Sequence, residues 1–354
     1  MTINRWFLEI CPHSCFAGNA TSVFHPGASC NVSYEESRVF LVSVYSSVCA
    51  LGIPANFLTA WLTLLQALQG NVLAVYLFCL ALCELLYAST LPLWILYIQN
   101  QHHWVLGPRA CKVTAYIFFC NIYVSILFLC CISLDRLCAV AYALESRGCR
   151  RQKTAIYTSV CVFLLVGLVH VPVFYMKEER TCFEELPTRT ISVYYYLRFV
   201  FGFALPLVFI AFNTQLMLRS IRRSMGLSEA RKAKVKRFSV AIVLIFLVCF
   251  APYHVVLFIK ALAVSLYGAD VDAVCTVERS LYTASVVFLG LATVNSVADP
   301  IIYMLATEHS RQKVSQIHRE WRAWATRADH TRLTSSKDMG TPMSPSDLAS
   351  CQSG

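Results

Sequence analysis

The sequence predicts an all-α membrane protein: a bundle of seven membrane-crossing helices followed by a short amphipathic eighth helix. Three observations carry that expectation. Of the 354 residues, 57% are hydrophobic and 14% charged, whereas a soluble domain is about 25% charged. The apolar residues gather into seven runs, each long enough for a hydrocarbon core of ~30 Å, which takes about 20 helical residues. The basic residues gather between and behind those runs on one side.

Residues 1–38 are expected to form a tail outside the membrane. Met1 to Ser14 lack the basic start, apolar core and small-residue cleavage site of a signal peptide, so the first span is expected to direct insertion itself. The tail carries two glycosylation sequons, at Asn19 and Asn31. The bundle is expected over 39–305. Val39–Leu65 and Val113–Leu134 hold no charge, and neither does Phe199–Leu218. Val72–Ile98 holds only Glu84, and Ser280–Leu305 only Asp299. Thr154–Met176 and Phe238–Ile259 have His170 and His254 as their ionisable groups. In lipid the backbone must satisfy its own hydrogen bonds, so such runs are helices. Helices hydrophobic on every side cannot all be interior to one soluble domain of this size. Over 306–325, Val314, Ile317, Trp321 and Trp324 recur at helical spacing among Arg311, Lys313, Arg319 and Arg322, the pattern of a helix lying on an inner leaflet. Residues 326–354 are rich in Ser and Thr and are expected to be disordered and cytoplasmic.

Seven spans place the two termini on opposite sides. With the N-terminus outside, 20 of the 30 Lys and Arg fall inside, and the outer segments hold ten Lys and Arg against ten Asp and Glu. That is the positive-inside bias. It accounts for the net charge of +10, which on a soluble domain would point to nucleic acid; no nucleic-acid partner is expected here. The same topology sorts the 17 cysteines. Eight lie in apolar runs, where Cys behaves as a small hydrophobe. Cys11, Cys15, Cys30, Cys111, Cys182 and Cys275 fall outside and are free to oxidise, with fifteen possible pairings. Cys11-Pro-His-Ser-Cys15 has the look of a metal site, but a disulfide or a free pair fits it better, and no metal is expected.

Ionisable residues within spans are costly and usually functional. Glu84 and Asp299 are the deepest two. Facing each other, they cannot readily both carry charge, and as a pair they would suit a shared proton or a sodium ion, with Asn56, Ser125 and Asn295 as polar neighbours. A plain structural hydrogen-bond network is the alternative. Asp135-Arg136, at the inner end of the third span, reads as a local ion pair whose breaking frees a guanidinium. Pro54, Pro92, Pro172, Pro206, Pro252 and Pro300 punctuate six spans, and those in the sixth and seventh are candidate hinges.

These pieces together resemble the rhodopsin-like G-protein-coupled receptors over residues from about 38 to 325. The matching pieces are Asn56, Leu80-Ala81-Leu82-Cys83-Glu84, Trp104 with Cys111, Asp135-Arg136-Leu137, Pro206, Cys249-Phe250-Ala251-Pro252, Asn295, and Asp299-Pro300-Ile301-Ile302-Tyr303. The resemblance implies a Cys111–Cys182 disulfide, a bond from Cys275 to an N-terminal cysteine, and a plasma-membrane location. It implies that Arg136 engages a heterotrimeric G protein, that Phe250 stands at the switch-aromatic position of the sixth helix, and that Glu84, Ser125, Asn295 and Asp299 match the sodium pocket. It also implies arrestin and receptor kinases as partners. Departures are Glu84 for Asp, Leu137 for Tyr, Phe250 for Trp, Asp299 for Asn, and Thr214 for a helix-5 tyrosine, and they put inactive-state locking in doubt. Thr90-Leu91-Pro92-Leu93-Trp94 and Cys249-Phe250-Ala251-Pro252-Tyr253-His254 are similar to the proton-sensing and lysolipid receptor group, whose stimuli are extracellular acid, lysophospholipids and oxidised fatty acids.

Phe118 stands where amine receptors carry an aspartate, which disfavours an amine ligand. Arg198 enters the fifth span beside Tyr194, Tyr195 and Tyr196, with Lys260 and Arg279 bordering the same mouth. An arginine over aromatics at the head of an apolar bundle suits an anionic head group with an acyl tail; an ion pair with Glu184 or Glu185 is the alternative. His102 and His103, with Glu84 and Asp299, are the candidate proton-sensing groups. That set is thin, so lipid is expected to dominate over acid. A peptide drawn to Glu178, Glu179, Glu184 and Glu185 is a second reading. A transporter is disfavoured by the lack of internal repeats, and an enzyme by the lack of a metalloprotease or nucleophile-elbow motif.

Overall fold

The computed structural model describes residues 35–141, 151–175, 182, 189–223, 228–268 and 270–306. Among them every regular element is a helix. Seven are long and apolar enough to cross a membrane: α1 (Ser37–Leu68), α2 (Val72–Gln99), α3 (Pro108–Ala141), α4 (Gln152–Tyr175), α5 (Ser192–Arg223), α6 (Glu229–Tyr267) and α7 (Asp272–Leu305). Even α4, the shortest at 24 residues, exceeds ~30 Å at about 1.5 Å per residue. The expected eighth helix, the tail at 326–354 and both sequons lie outside the described residues.

The helices run longer than their apolar runs. α6 begins at Glu229, well before Phe238, and carries Arg231, Lys232, Lys234, Lys236 and Arg237 in its first turns. Hydropathy marks where a helix meets lipid, whereas capping marks where it starts. Asn71 accepts from the Ala74 N–H (3.4 Å), Ser228 from Arg231 (3.5 Å) and Asp270 from Ala273 (3.1 Å). These side chains satisfy orphan donors at the heads of α2, α6 and α7.

The chain divides into two compact units, Met1–Ile302 and Tyr303–Gly354; the second enters the described residues only as the last turn of the final helix, to Ala306. In the first unit, α1 packs on α2, α2 on α3, α5 on α6, α6 on α7, and α7 back on α1. α3 stands within this ring and also touches α4, α5 and α6. Its apolar window is 67% buried, against 22% for α5. Phe57, Trp61, Leu164, Leu168 and Phe201 are exposed on the outside of the bundle, as the surface of a membrane protein requires.

The prolines do three different things. Pro92, Pro252 and Pro300 sit inside helices. Pro54 and Pro206 each follow a widened helical turn, Val48–Gly52 and Val200–Ala204. The extra residue in such a turn separates the proline ring from the carbonyl it would otherwise meet. Pro172 lies in a tightened turn, Val171–Tyr175, that ends α4. α7 is broken between Ala292 and Asn295, where Thr293 and Val294 close turns onto Gly290 and Leu291.

Candidate functional site

Two polar clusters lie inside the apolar bundle, and α3 serves both. Phe119 and Tyr123, one helical turn apart, face α5; Asn121 and Ser125, likewise spaced, face α2.

The first cluster centres on Arg198, which is 8% exposed. Its Nε donates to the Tyr123 hydroxyl at 2.6 Å and its Nη2 to the Tyr253 hydroxyl at 3.1 Å. The guanidinium carbon lies 4.8 Å from the Phe119 ring centre, 5.3 Å from Tyr123, 5.5 Å from Tyr194 and 5.7 Å from Tyr253. Among the described residues no carboxylate pairs with it. His254 approaches Tyr123 Oη at 3.4 Å and stacks on Phe203 at 5.1 Å, while His170 stacks on Tyr123 at 5.0 Å. The backbone makes room for this: a Cβ on Gly202, in the widened turn of α5, would lie 2.3 Å from Tyr123 Cε1.

At the end of the bundle carrying the Cys111–Cys182 disulfide, Lys260 of α6 is paired with Glu278 of α7 at 2.5 Å. Lys260 lies two turns along α6 from Tyr253, which accepts from Arg198. Arg279 is exposed beside Glu278. Phe118 is buried in edge contacts with Tyr87 and Trp94. His102 is buried, in the left-handed backbone region (φ 61°), against Tyr97; His103 is exposed. Trp94, Tyr97 and Trp104 form an aromatic box there, and the Tyr97 hydroxyl accepts from the Cys182 N–H at 3.1 Å. Cys275 is also disulfide-bonded, its partner lying outside the described residues, as do Glu184 and Glu185.

The second cluster centres on Glu84, which is wholly buried. Ser125 donates to its Oε1 at 2.7 Å and Asn295 to the same oxygen at 3.1 Å, while Asn121 donates to Oε2 at 3.2 Å. The Cys83 thiol orients the Asn121 amide from 3.2 Å. Asp299 lies against the Glu84 carboxyl; neither of its buried oxygens receives a hydrogen bond from the described residues. Asn56 does not join this cluster. Its amide instead donates to the carbonyls of Gly52 (2.9 Å) and Ser296 (2.7 Å), tying α1 to the break in α7.

At the opposite end, Arg136 Nε donates to Asp135 Oδ2 at 3.1 Å, and its Nη2 contacts the same oxygen. Phe250 is fully buried against Phe246, which stacks on Phe203. Pro252 lies between Phe250 and His254 in α6; Pro300 and Tyr303 lie in the last segment of α7. An almost wholly apolar groove, lined by Leu127, Cys131, Leu134, Cys161, Leu165 and Phe209, opens outward between α3, α4 and α5.

The structure thus brings Glu84, Ser125, Asn295 and Asp299 together, places Arg198 among aromatics and occupies Lys260 with an acid. Sequence reasoning missed Phe119, Tyr123, Tyr253, Asn121 and Glu278. Polar side chains inside a charge-free span were the available signal for Asn121, one turn from Ser125, and for Tyr123.

Comparison with known proteins agrees with the seven-helix fold. Residues 55–303 match the family model "7 transmembrane receptor (rhodopsin family)". The chain is 65% identical over 320 residues to "Probable G-protein coupled receptor 132" of Homo sapiens, covering 90% of this chain and 84% of that one. It is 32% identical to "G-protein coupled receptor 68" of Homo sapiens (92% and 89% covered) and 31% identical to "G-protein coupled receptor 65" of Homo sapiens (76% and 83% covered).

Proposed function

The chain belongs to the rhodopsin family of seven-transmembrane receptors, and from that premise we propose that its agonist is an anionic lipid, a lysophospholipid or an oxidised fatty acid, held through Arg198. Family membership makes it a multi-pass plasma-membrane receptor that signals through heterotrimeric G proteins, and not an enzyme.

One observation carries the lipid reading: a buried guanidinium in an apolar bundle with no carboxylate against it among the described residues. A buried cation without a counter-ion is costly, and here tyrosine hydroxyls and ring faces offset that cost. A lipid carboxylate or phosphate would complete the pairing bidentately, and its tail would lie along the aromatic and aliphatic walls. Phe118 and Tyr195 belong to those walls, and Lys260 and Arg279 line the approach. The disulfide end is read as extracellular, with the N-terminus outside.

Binding at Arg198 pulls on Tyr123 and Tyr253, hence on α3 and α6. Tyr253 follows Pro252, and His254 stacks through Phe203 and Phe246 towards Phe250. Displacing that stack is read as the hinge motion that releases Arg136 from Asp135 towards the G protein, with Pro300 and Tyr303 adjusting in α7. Arrestin and receptor kinases are read as partners of the active form. Glu84 and Asp299 are read as a site for a sodium ion or a shared proton, since both buried oxygens of Asp299 lack a hydrogen bond among the described residues while the neighbouring Asn295 donates to Glu84. Acid sensing through His102, His103, Glu84 and Asp299 is read as weak, because that set of groups is small.

The test is a dose–response to a long-chain lipid acid and to its methyl ester, on wild type and Arg198→Gln. The acid is expected to act on wild type, with the ester and the variant losing at least about 100-fold in potency, as removal of a desolvated charge pair does. Equal potency of acid and ester, with the variant unaffected, overturns the reading and favours a peptide agonist.

A further inference from the structure

We propose that Glu278 is a built-in competitor for the ligand's head group: it occupies Lys260 in the ligand-free bundle and must surrender it for an anionic ligand to seat fully. The proposal rests on the lipid reading of Arg198 and adds a second, gated cation to that site.

Several placements support it. Lys260 is 9% exposed and its ammonium is held by Glu278 at 2.5 Å, with the two side chains 10% and 15% exposed. This is no surface pair of the sort that contributes little. Two partly desolvated charges hold α6 to α7 well before the break in α7, and 18 residues separate them in sequence. Tyr253, which accepts from Arg198, and Lys260 are both buried and seven residues apart in α6, two turns along one face of the helix, so a head group on Arg198 has its next cation on that face at Lys260. The neighbouring backbone is fixed: the Ser192 hydroxyl donates to the Ala261 carbonyl at 2.9 Å, and Tyr196 meets Ser265 at 3.1 Å. α5 is thereby pinned to the turn that presents Lys260. The cation cannot easily follow a ligand elsewhere, so an anion reaching it must take the place of Glu278.

The exchange conserves charge pairing on Lys260 and frees Glu278, which stands at the wetter end of the pair. It therefore converts head-group binding into loss of an α6–α7 tie. Ligand and Glu278 bind the same cation, so each weakens the other by the same factor. A head group with two anionic oxygens in reach of both cations gains from this arrangement over one whose charge meets Arg198 alone.

The experiment compares Glu278→Gln, Lys260→Gln and the charge exchange Lys260→Glu/Glu278→Lys with wild type, using a long-chain lipid acid as probe and surface expression as a check on folding. Glu278→Gln is expected to raise potency about tenfold, a typical coupling between linked sites, and to raise ligand-free signalling. Lys260→Gln is expected to lower potency. The charge exchange is expected to keep expression and low ligand-free signalling, because the tie persists, while potency falls. Asp272→Asn, which removes an exposed charge from the same helix end, is expected to change little. If Glu278→Gln lowers potency as Lys260→Gln does, or if Asp272→Asn matches the gain of Glu278→Gln, the competitor role is wrong. Loss of the lipid response in Arg198→Gln with Glu278→Gln neutral sinks this proposal alone; an unchanged response in Arg198→Gln sinks the lipid reading beneath it.

Discussion

At the scale of single residues, Arg198 and Tyr123 are set against each other. The 2.6 Å bond from Arg198 to Tyr123 is a hydrogen bond to a charged group, which stabilises by about 1.5–3 kcal/mol. Tyr123→Phe should therefore lower the Tm of the purified receptor. The same change leaves the guanidinium less occupied and should raise lipid affinity. Opposite signs in a thermal melt and a binding titration check the point, and parallel losses in both would count against it. Glu84 and Asp299 give a second test. If Asp299 turns its unsatisfied oxygens to a cation, exchanging potassium for sodium should raise the Tm of wild type, because binding to the native state stabilises it. Glu84→Gln and Asp299→Asn should each abolish the sodium increment. A sodium effect that survives both changes would place the ion elsewhere.

At the scale of elements, irregular turns put polar groups where they meet. The widened turn Val200–Ala204 brings Gly202 under the Tyr123 ring. Gly202→Ala forces a Cβ against that ring, and overpacking of this kind costs about 1–3 kcal/mol. Since Tyr123 is the residue that must move, and the one through which binding at Arg198 pulls on α3, the lipid-evoked response should fall even where affinity does not. Gly167→Ala meets only the Tyr116 hydroxyl, at 2.9 Å, at the tip of a side chain that is able to swing away. It should leave that response intact, and a radioligand or cell-signalling comparison of the two variants decides. The break after Ala292 in α7 plays the corresponding part for Glu84, bringing Asn295 to 3.1 Å from it. None of these irregularities is visible in hydropathy. Pro54 and Pro206 hinted that a turn would be disturbed, but whether a proline kinks a helix, follows a widened turn or ends it in a tight one depends on the neighbours it packs against.

At the scale of the whole molecule, the spans were legible because lipid imposes a length and composition that few other environments demand. Their number, order and approximate positions follow from the seven apolar runs. Which faces meet does not, because a run that is apolar all round has no moment to orient it. Glu84 and Asp299 could be paired from the sequence only as the two acids left in lipid, and the structure supplies Asn121 as the donor that pairing lacked while removing Asn56. Arg198 and Lys260 were legible as cations near one mouth. Glu278 was overlooked there because one acid beside several bases reads as ordinary surface charge until α6 and α7 are placed side by side.

The account reduces to a receptor in which an anion drawn to Arg198 rearranges α3 and α6 and so activates a G protein. The direct measurement is nucleotide exchange on a purified heterotrimeric G protein by the purified receptor in lipid nanodiscs, with a long-chain lipid acid, its methyl ester, or neither. The account predicts acceleration by the acid alone, lost in Arg198→Gln at equal receptor density. Acceleration by the ester as strong as by the acid, and unchanged in Arg198→Gln, would contradict it.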